Sequence, residues 1–155
     1  MKTQLNPRKI NTFLFFKLPS AFWCGVRVKE ISTKHCKVGV KYSWFTKNPF
    51  KSLYFAVQAM AAELTTGSLV MQAIQETQAS VSMLVVGQKA SFFKKATGKV
   101  YFVCNKGSFI KECINKTVQN NEAQRFWLEV NGVDKQGDTV ATFSFEWSVK
   151  LKSKN

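Results

Sequence analysis

Asn48-Pro49-Phe50-Lys51-Ser52, running on into Leu53-Tyr54-Phe55-Ala56-Val57-Gln58-Ala59-Met60-Ala61-Ala62-Glu63-Leu64-Thr65-Thr66-Gly67, is the stretch on which the reading of this chain turns. Asn48 suits an N-cap that accepts a backbone N–H. Pro49 suits the first helical position, where no N–H is needed, and Gly67 the left-handed conformation that closes a helix. Together they predict one helix between Asn48 and Gly67. From Leu53 to Leu64 only Gln58 and Glu63 are strongly polar, so this helix has almost no solvent face and needs a large curved sheet wrapped around it. On the helical period Ser52, Ala56, Ala59 and Glu63 share a stripe whose small residues let a backbone or ligand approach closely, with Glu63 at the end of a narrow groove.

Working outward, 155 residues with 45% hydrophobic content suit a single domain over 1–155, in which 1–21 form a helical extension. Fourteen Phe and four Trp favour a β-rich core with aromatic pairs. Twenty-three Lys and Arg against nine Asp and Glu give a net charge of +14, which attracts nucleic acid, an acidic membrane surface or a phosphorylated cofactor. The basic residues run dispersed from Lys2 to Lys154, so a solvated basic surface and a focused phosphate site both stay open. Cys24, Cys36, Cys104 and Cys113 contain no C-x-x-C pair and His35 is the only histidine, so neither a metal site nor a cofactor is expected. The cysteines read as reduced, mostly buried residues of a cytoplasmic protein. Lys17 and Pro19 interrupt the run Phe13-Leu14-Phe15-Phe16 and Phe22-Trp23, which has no small-residue cleavage site. No apolar run approaches the roughly 18 residues of a membrane span.

Asn6 to Leu18 reads as a short Phe-rich helix packed outside the sheet, with a membrane-touching helix as the sharper alternative. Val26–Ser32 and Cys36–Trp44 form a hairpin across Thr33-Lys34-His35, and the second strand alternates, with Cys36, Val38, Val40, Tyr42 and Trp44 on one face. His35 at that turn has no expected role. After a bend at Gly67, Ser68 to Glu76 is a second helical piece. Ser82 to Lys95 is a long strand with a bulge at Gly87, followed by the turn Ala96-Thr97-Gly98. Val100 to Cys104, apolar on both faces, predicts a central strand covered on both sides. Ile110 to Val118 is a surface helix or a crossover. Gln124–Asp134 and Thr139–Leu151 form a last hairpin with Ala141, Phe143, Phe145, Trp147, Val149 and Leu151 on one side, and Asn155 ends a polar tail.

This order of elements resembles the hotdog fold, an α+β architecture in which a curved antiparallel sheet of about six strands wraps one long central helix. More closely, Asn48-Pro49-Phe50-Lys51-Ser52 leading into Ala59-Met60-Ala61-Ala62-Glu63-Leu64-Thr65-Thr66-Gly67, followed by Ala90 to Val100, resembles the group catalogued as domain of unknown function 4442, which is similar to phenylacetyl-CoA-type thioesterases. In those thioesterases the helix carries an acid in a Leu-Ala-Asp-like segment, and Glu63 in Ala-Ala-Glu-Leu falls on that position. The chain departs from the pattern before the helix, where Pro49-Phe50-Lys51-Ser52 stands in place of His-Gly-Gly. The resemblance implies an acyl-CoA or related thioester substrate and a homodimer or dimer of dimers.

Three parts would supply the chemistry. Glu63, the acid in an apolar run, is the general base, because burial without a cation favours its neutral form and brings it toward useful pH. Backbone N–H groups around Ser52 and Leu53, with Asn48 at the helix start, are the expected oxyanion donors. Lys94, Lys95 and Lys99 flank a turn and would hold coenzyme A phosphates, while Phe50, Tyr54, Phe92 and Phe93 suggest an apolar or aromatic acyl slot. Thr66 is placed with the substrate-binding residues, or else its hydroxyl satisfies a merely structural Glu63. A dehydratase acting on a 3-hydroxyacyl thioester and a non-catalytic acyl-ligand binder are the alternatives. No helix-turn-helix, zinc or ribonucleoprotein motif supports a specific nucleic-acid partner. A lone sheet of this kind leaves open edges, so Ser82 to Lys95 is the expected dimer seam.

Overall fold

Asn6 accepts from the N–H of Lys9 and Pro7 takes the first helical position, and together they start α1 (Pro7–Lys17) as the sequence predicts. In the computed structural model, which describes residues 5–153, the remaining elements are α2 (Pro19–Trp23), β1 (Arg27–Ile31), β2 (Cys36–Lys41), α3 (Phe55–Thr77), β3 (Val81–Phe92), β4 (Lys99–Cys104), α4 (Gly107–Asn120), β5 (Gln124–Asp134) and β6 (Thr139–Leu151). Asn155 and the first four residues of the expected extension lie outside the described residues. The strands form one antiparallel sheet in the order β1-β2-β4-β5-β6-β3. It curls around α3 without closing, which is the hotdog arrangement. Alternation sets the inner face: Phe143, Phe145, Trp147 and Val149 on β6 and Phe126, Leu128 and Val130 on β5 all point into the core.

The two ends of the sheet are treated differently. At β1 the side chain of Asn11 on α1 works as a clip, with Nδ2 donating to Val28 O at 3.0 Å and Oδ1 accepting from Val28 N at 2.9 Å. That edge is thereby blocked. At the other end β3 runs for 12 residues, pairs among the described residues only with β6, and is mostly exposed beyond the Gly87 bulge. Asn11→Ala leaves both Val28 groups without protein partners. It should lower the urea midpoint by the equivalent of about 1–2 kcal/mol, with the far-ultraviolet dichroism unchanged.

Several expectations need correction. The central helix starts at Phe55, seven residues after Asn48, and runs unbroken through Gly67 to a left-handed Gln78. Gly67 is neither a stop nor a bend. A Cβ there would sit 3.1 Å from Glu63 Oε1 and 3.2 Å from the Trp147 ring, so the position is small because those two groups fill the space. β2 ends at Lys41, leaving Trp44 in a loop and exposed. β4 is covered on one face only, because Val103 is exposed where Phe102 and Cys104 are buried. Cys36 and Cys104 face each other across β2 and β4 as free thiols, and burial pushes Cys36 up to about 12.

α3 is closed in from Leu64 to Val70, and α4 packs on the same helix, with Lys111 pairing with Glu76 at 2.9 Å nearer its end. The first half of α3 is not closed in. Ala56, Ala59, Met60 and Glu63 form one partly exposed stripe, so the small-residue stripe of the sequence reading is present without Ser52.

Candidate active site

The segment from Tyr42 to Tyr54 is a tied loop. Thr46 Oγ1 accepts from Ser43 N at 2.8 Å and donates to Lys41 O at 2.9 Å, and Tyr54 N donates to Thr46 O at 2.8 Å. Asn48 organises the tip: its Oδ1 accepts from Phe50 N at 2.9 Å and Ser52 N at 3.1 Å, and its Nδ2 donates to Ser52 Oγ at 3.0 Å. Lys51 takes a left-handed φ of 59°, which no helix through this point would allow. Asn48 therefore caps a turn rather than a helix. Asn48→Ala strips three partners at once and should cost about 1–2 kcal/mol in chemical denaturation.

This loop changes which backbone groups are free. Ser52 N is taken by Asn48, and Leu53 N donates to Ala96 O at 2.7 Å, so the two expected oxyanion donors are already engaged. Val57 and Gln58 N–H both turn back to Tyr54 O. Phe55 and Ala56, the first two residues of a 23-residue helix with no side-chain cap among the described residues, keep N–H groups without an intrahelical acceptor. They sit at the positive end of the helix dipole.

Beside the helix start, with Phe55 in its lining, opens a groove of about 520 Å³ lined by Asn48, Phe50, Ser52, Tyr54, Phe92 and Lys95, together with Pro49, Leu53, Phe55, Gln58, Phe93, Lys94 and Ala96. Eight of the residues singled out from sequence thus meet at one place. One wall is a run of edge-to-face rings, Tyr54 to Phe55 at 4.9 Å, Phe55 to Phe92 at 6.4 Å and Phe92 to Phe143 at 5.6 Å, which ties the groove to the core. Gln58 is the member that sequence reasoning passed over. Its Nε2 donates to Leu53 O at 3.2 Å, while its buried Oε1 has no partner among the described residues. A polar residue on an otherwise apolar helix was the available signal.

Glu63 lies further along the open stripe, eight residues beyond Phe55, which is ~12 Å at about 1.5 Å per residue. Its carboxyl makes no hydrogen bond or ion pair among the described residues, and burial pushes its pKa up from the ordinary range. Thr66 does not serve that carboxyl. Wholly buried, it donates to Glu63 O at 3.0 Å and accepts from Trp147 Nε1 at 3.0 Å, so it belongs to the core and not to the groove.

The lysines divide. Lys94 Nζ is held by Asp134 at 2.7 Å and Asp138 at 2.6 Å, which raises its pKa and lowers that of Asp134. Lys95 reaches back to Phe50 O at 3.4 Å, and Lys99 lies in an adjoining depression with Lys135. His35 stays at the β1–β2 turn, 2.9 Å from Ser32 Oγ. No group of three or more His, Cys, Asp or Glu able to hold a metal ion occurs among the described residues.

Residues 7–149 match the profile of a family described as Domain of unknown function (DUF4442). A search of curated proteins finds no match. Among solved structures, the Pseudomonas aeruginosa protein PA5026, described as a protein of unknown function and probable thioesterase, is 16% identical with a TM-score of 0.81, over 98% of this chain and 100% of that one. Thioesterase HI1161 of Haemophilus influenzae is 10% identical with a TM-score of 0.70, over 99% and 96%. The Escherichia coli PaaI protein from the phenylacetic acid degradation operon is 10% identical with a TM-score of 0.62, over 93% and 91%. At these identities the likeness establishes the fold.

Proposed function

The chain belongs to the DUF4442 family, and from that premise we propose that it is a thioester hydrolase acting on an acyl-CoA, with Glu63 as general base and the N–H groups of Phe55 and Ala56 as oxyanion donors. The observation that carries this reading is the pairing, on one helix, of an unpartnered desolvated carboxyl with an uncapped N-terminus that opens on an apolar groove. Thioesterase is also the activity named for two of the structural relatives.

Base and donors within one chain are too far apart to act on one carbonyl, since contact distances for proton transfer are about 3 Å. We therefore assign the site to a homodimer joined along the β3 edge, in which the open stripe of one protomer faces the helix start of the other. The blocked β1 edge and the long bare β3 edge support that choice. Asn48 and Ser52 shape the donor loop, and Phe50, Tyr54, Phe92 and Phe93 take the acyl group. Lys95 and Lys99 are the better phosphate anchors, because Lys94 is already neutralised by two carboxylates. A reducing cytoplasm suits the four free cysteines.

The test is a screen of short-chain, long-chain and aryl acyl-CoA thioesters with detection of the free thiol, run beside light scattering. Turnover by a dimer supports the reading. A monomer at micromolar concentration removes the shared site, and acyl-CoA binding without turnover leaves a binding protein.

A further inference from the structure

α1 is apolar on both its faces, the buried one and the one turned to solvent. Ile10 and Leu14 dock it on β1, Asn11 pins it to Val28, and the face turned to solvent carries Phe13 and Phe16 next to Lys9. Spacings of three and four residues place Lys9, Phe13 and Phe16 on one stripe. α2 continues this surface. Phe16 packs edge-to-face on Phe15 at 4.9 Å, Phe15 on Phe22 at 5.0 Å and Phe22 on Trp23 at 5.9 Å, so the rings form one ridge. At its two ends Phe16 is 70% exposed and Trp23 65%. The ridge cannot fold inward, because α1 is held by its inner face and Arg27, stacked on Phe22 at 3.8 Å, bonds Phe22 O and Val26 O.

Its charge is one-sided. No Asp or Glu precedes Glu30 in the sequence, and the exposed Arg8, Lys9 and Lys17 make no ion pair among the described residues. Exposed Phe and Trp bordered by cations with long apolar stems match the boundary between lipid headgroups and acyl chains, and the sign of the charge selects anionic headgroups. No helix of the described residues is long and apolar enough to cross a bilayer. We propose that the α1–α2 face docks on the surface of an anionic lipid bilayer, with Phe16 and Trp23 entering the headgroup layer and Lys9 and Lys17 meeting lipid phosphates. This surface shares no residue with the groove and does not rest on the thioesterase reading.

The experiment is co-sedimentation of the full chain with vesicles of equal parts phosphatidylcholine and phosphatidylglycerol, against phosphatidylcholine alone. Binding to the anionic vesicles only, weakened by added salt, is expected. Phe16→Ser/Trp23→Ser should weaken it about tenfold or more, and Lys9→Gln/Lys17→Gln about fivefold per lysine, with melting temperatures unchanged because all four side chains are exposed. Brominated lipid should quench tryptophan emission in the wild type, and Trp23→Phe should lose most of that quenching. The proposal is overturned by a wild type that ignores anionic vesicles, by quenching that survives Trp23→Phe, or by binding lost in Trp44→Ser/Phe45→Ser instead. It is also overturned if Phe16→Ser/Trp23→Ser halves the mass in light scattering, which would make a second copy the occupant, or if single-stranded RNA binds the ridge while vesicles do not.

Discussion

On the proposed reading, Glu63→Gln is expected to lower acyl-CoA hydrolysis by about 10²-fold or more, equivalent to about 2.7 kcal/mol of transition-state stabilisation, while the protein stays folded with its mass in light scattering unchanged. The substitution keeps the size of the side chain and removes only its charge. Stability should move the other way. Because burial raises the folded-state pKa of Glu63, the carboxyl contributes no penalty below its unfolded value of about 4.3, and that advantage is lost as pH rises through the raised folded value. Glu63→Gln should therefore melt higher than wild type at neutral pH, and the two should converge in acid. The rate of the wild type should climb with pH on a limb displaced above the ordinary carboxylate range, since the base acts ionised. Equal turnover by wild type and Glu63→Gln would remove Glu63 as base without touching the thioesterase reading.

Periodicity made the sheet legible. Hairpins at β1–β2 and β5–β6, the Gly87 bulge and the inward face of β6 follow from alternation and turn residues, which are local. The start of α3 was hidden by a signal that is true elsewhere in the same chain: Asn-Pro begins α1 at Asn6-Pro7, yet at Asn48-Pro49 it begins a turn. Which one forms depends on whether the next residues continue in helical φ, and Lys51 does not. Gly67 misled for a tertiary reason, since only the arrival of Trp147 from β6 shows why it lacks a side chain. The same limit applies to the candidate site. Glu63 and the groove aromatics stand out by type, whereas the freed N–H groups at Phe55 and Ala56 follow from where the turn at Asn48 delays the helix start, and the engagement of Lys94 depends on Asp134 and Asp138, distant in sequence.

Phe143→Ala should destabilise the protein by about 3–5 kcal/mol, and with each kcal/mol worth about 2–4 °C in a domain of this size the melting point should fall by roughly 6–20 °C. Phe143 is wholly buried on β6, stacked at 6.2 Å on Phe145 and edge-on to Phe102 at 5.8 Å, so truncation leaves a cavity among rigid rings that relax poorly. Its third ring neighbour links this loss to the site. Phe92 stands on Phe143 at 5.6 Å and faces Phe55 at the groove, so the groove wall inherits its position from the core. The milder Phe143→Leu should keep the fold and still let Phe92 shift, raising KM for a long or aryl acyl-CoA more than it lowers kcat. Phe92→Ala, at a half-exposed position, should raise KM with little change in melting point. Because both substitutions act through one ring, their effects on KM should combine less than additively in the double variant. Full additivity would mean that Phe143 supports the fold alone and that the groove wall is held by the β3 backbone.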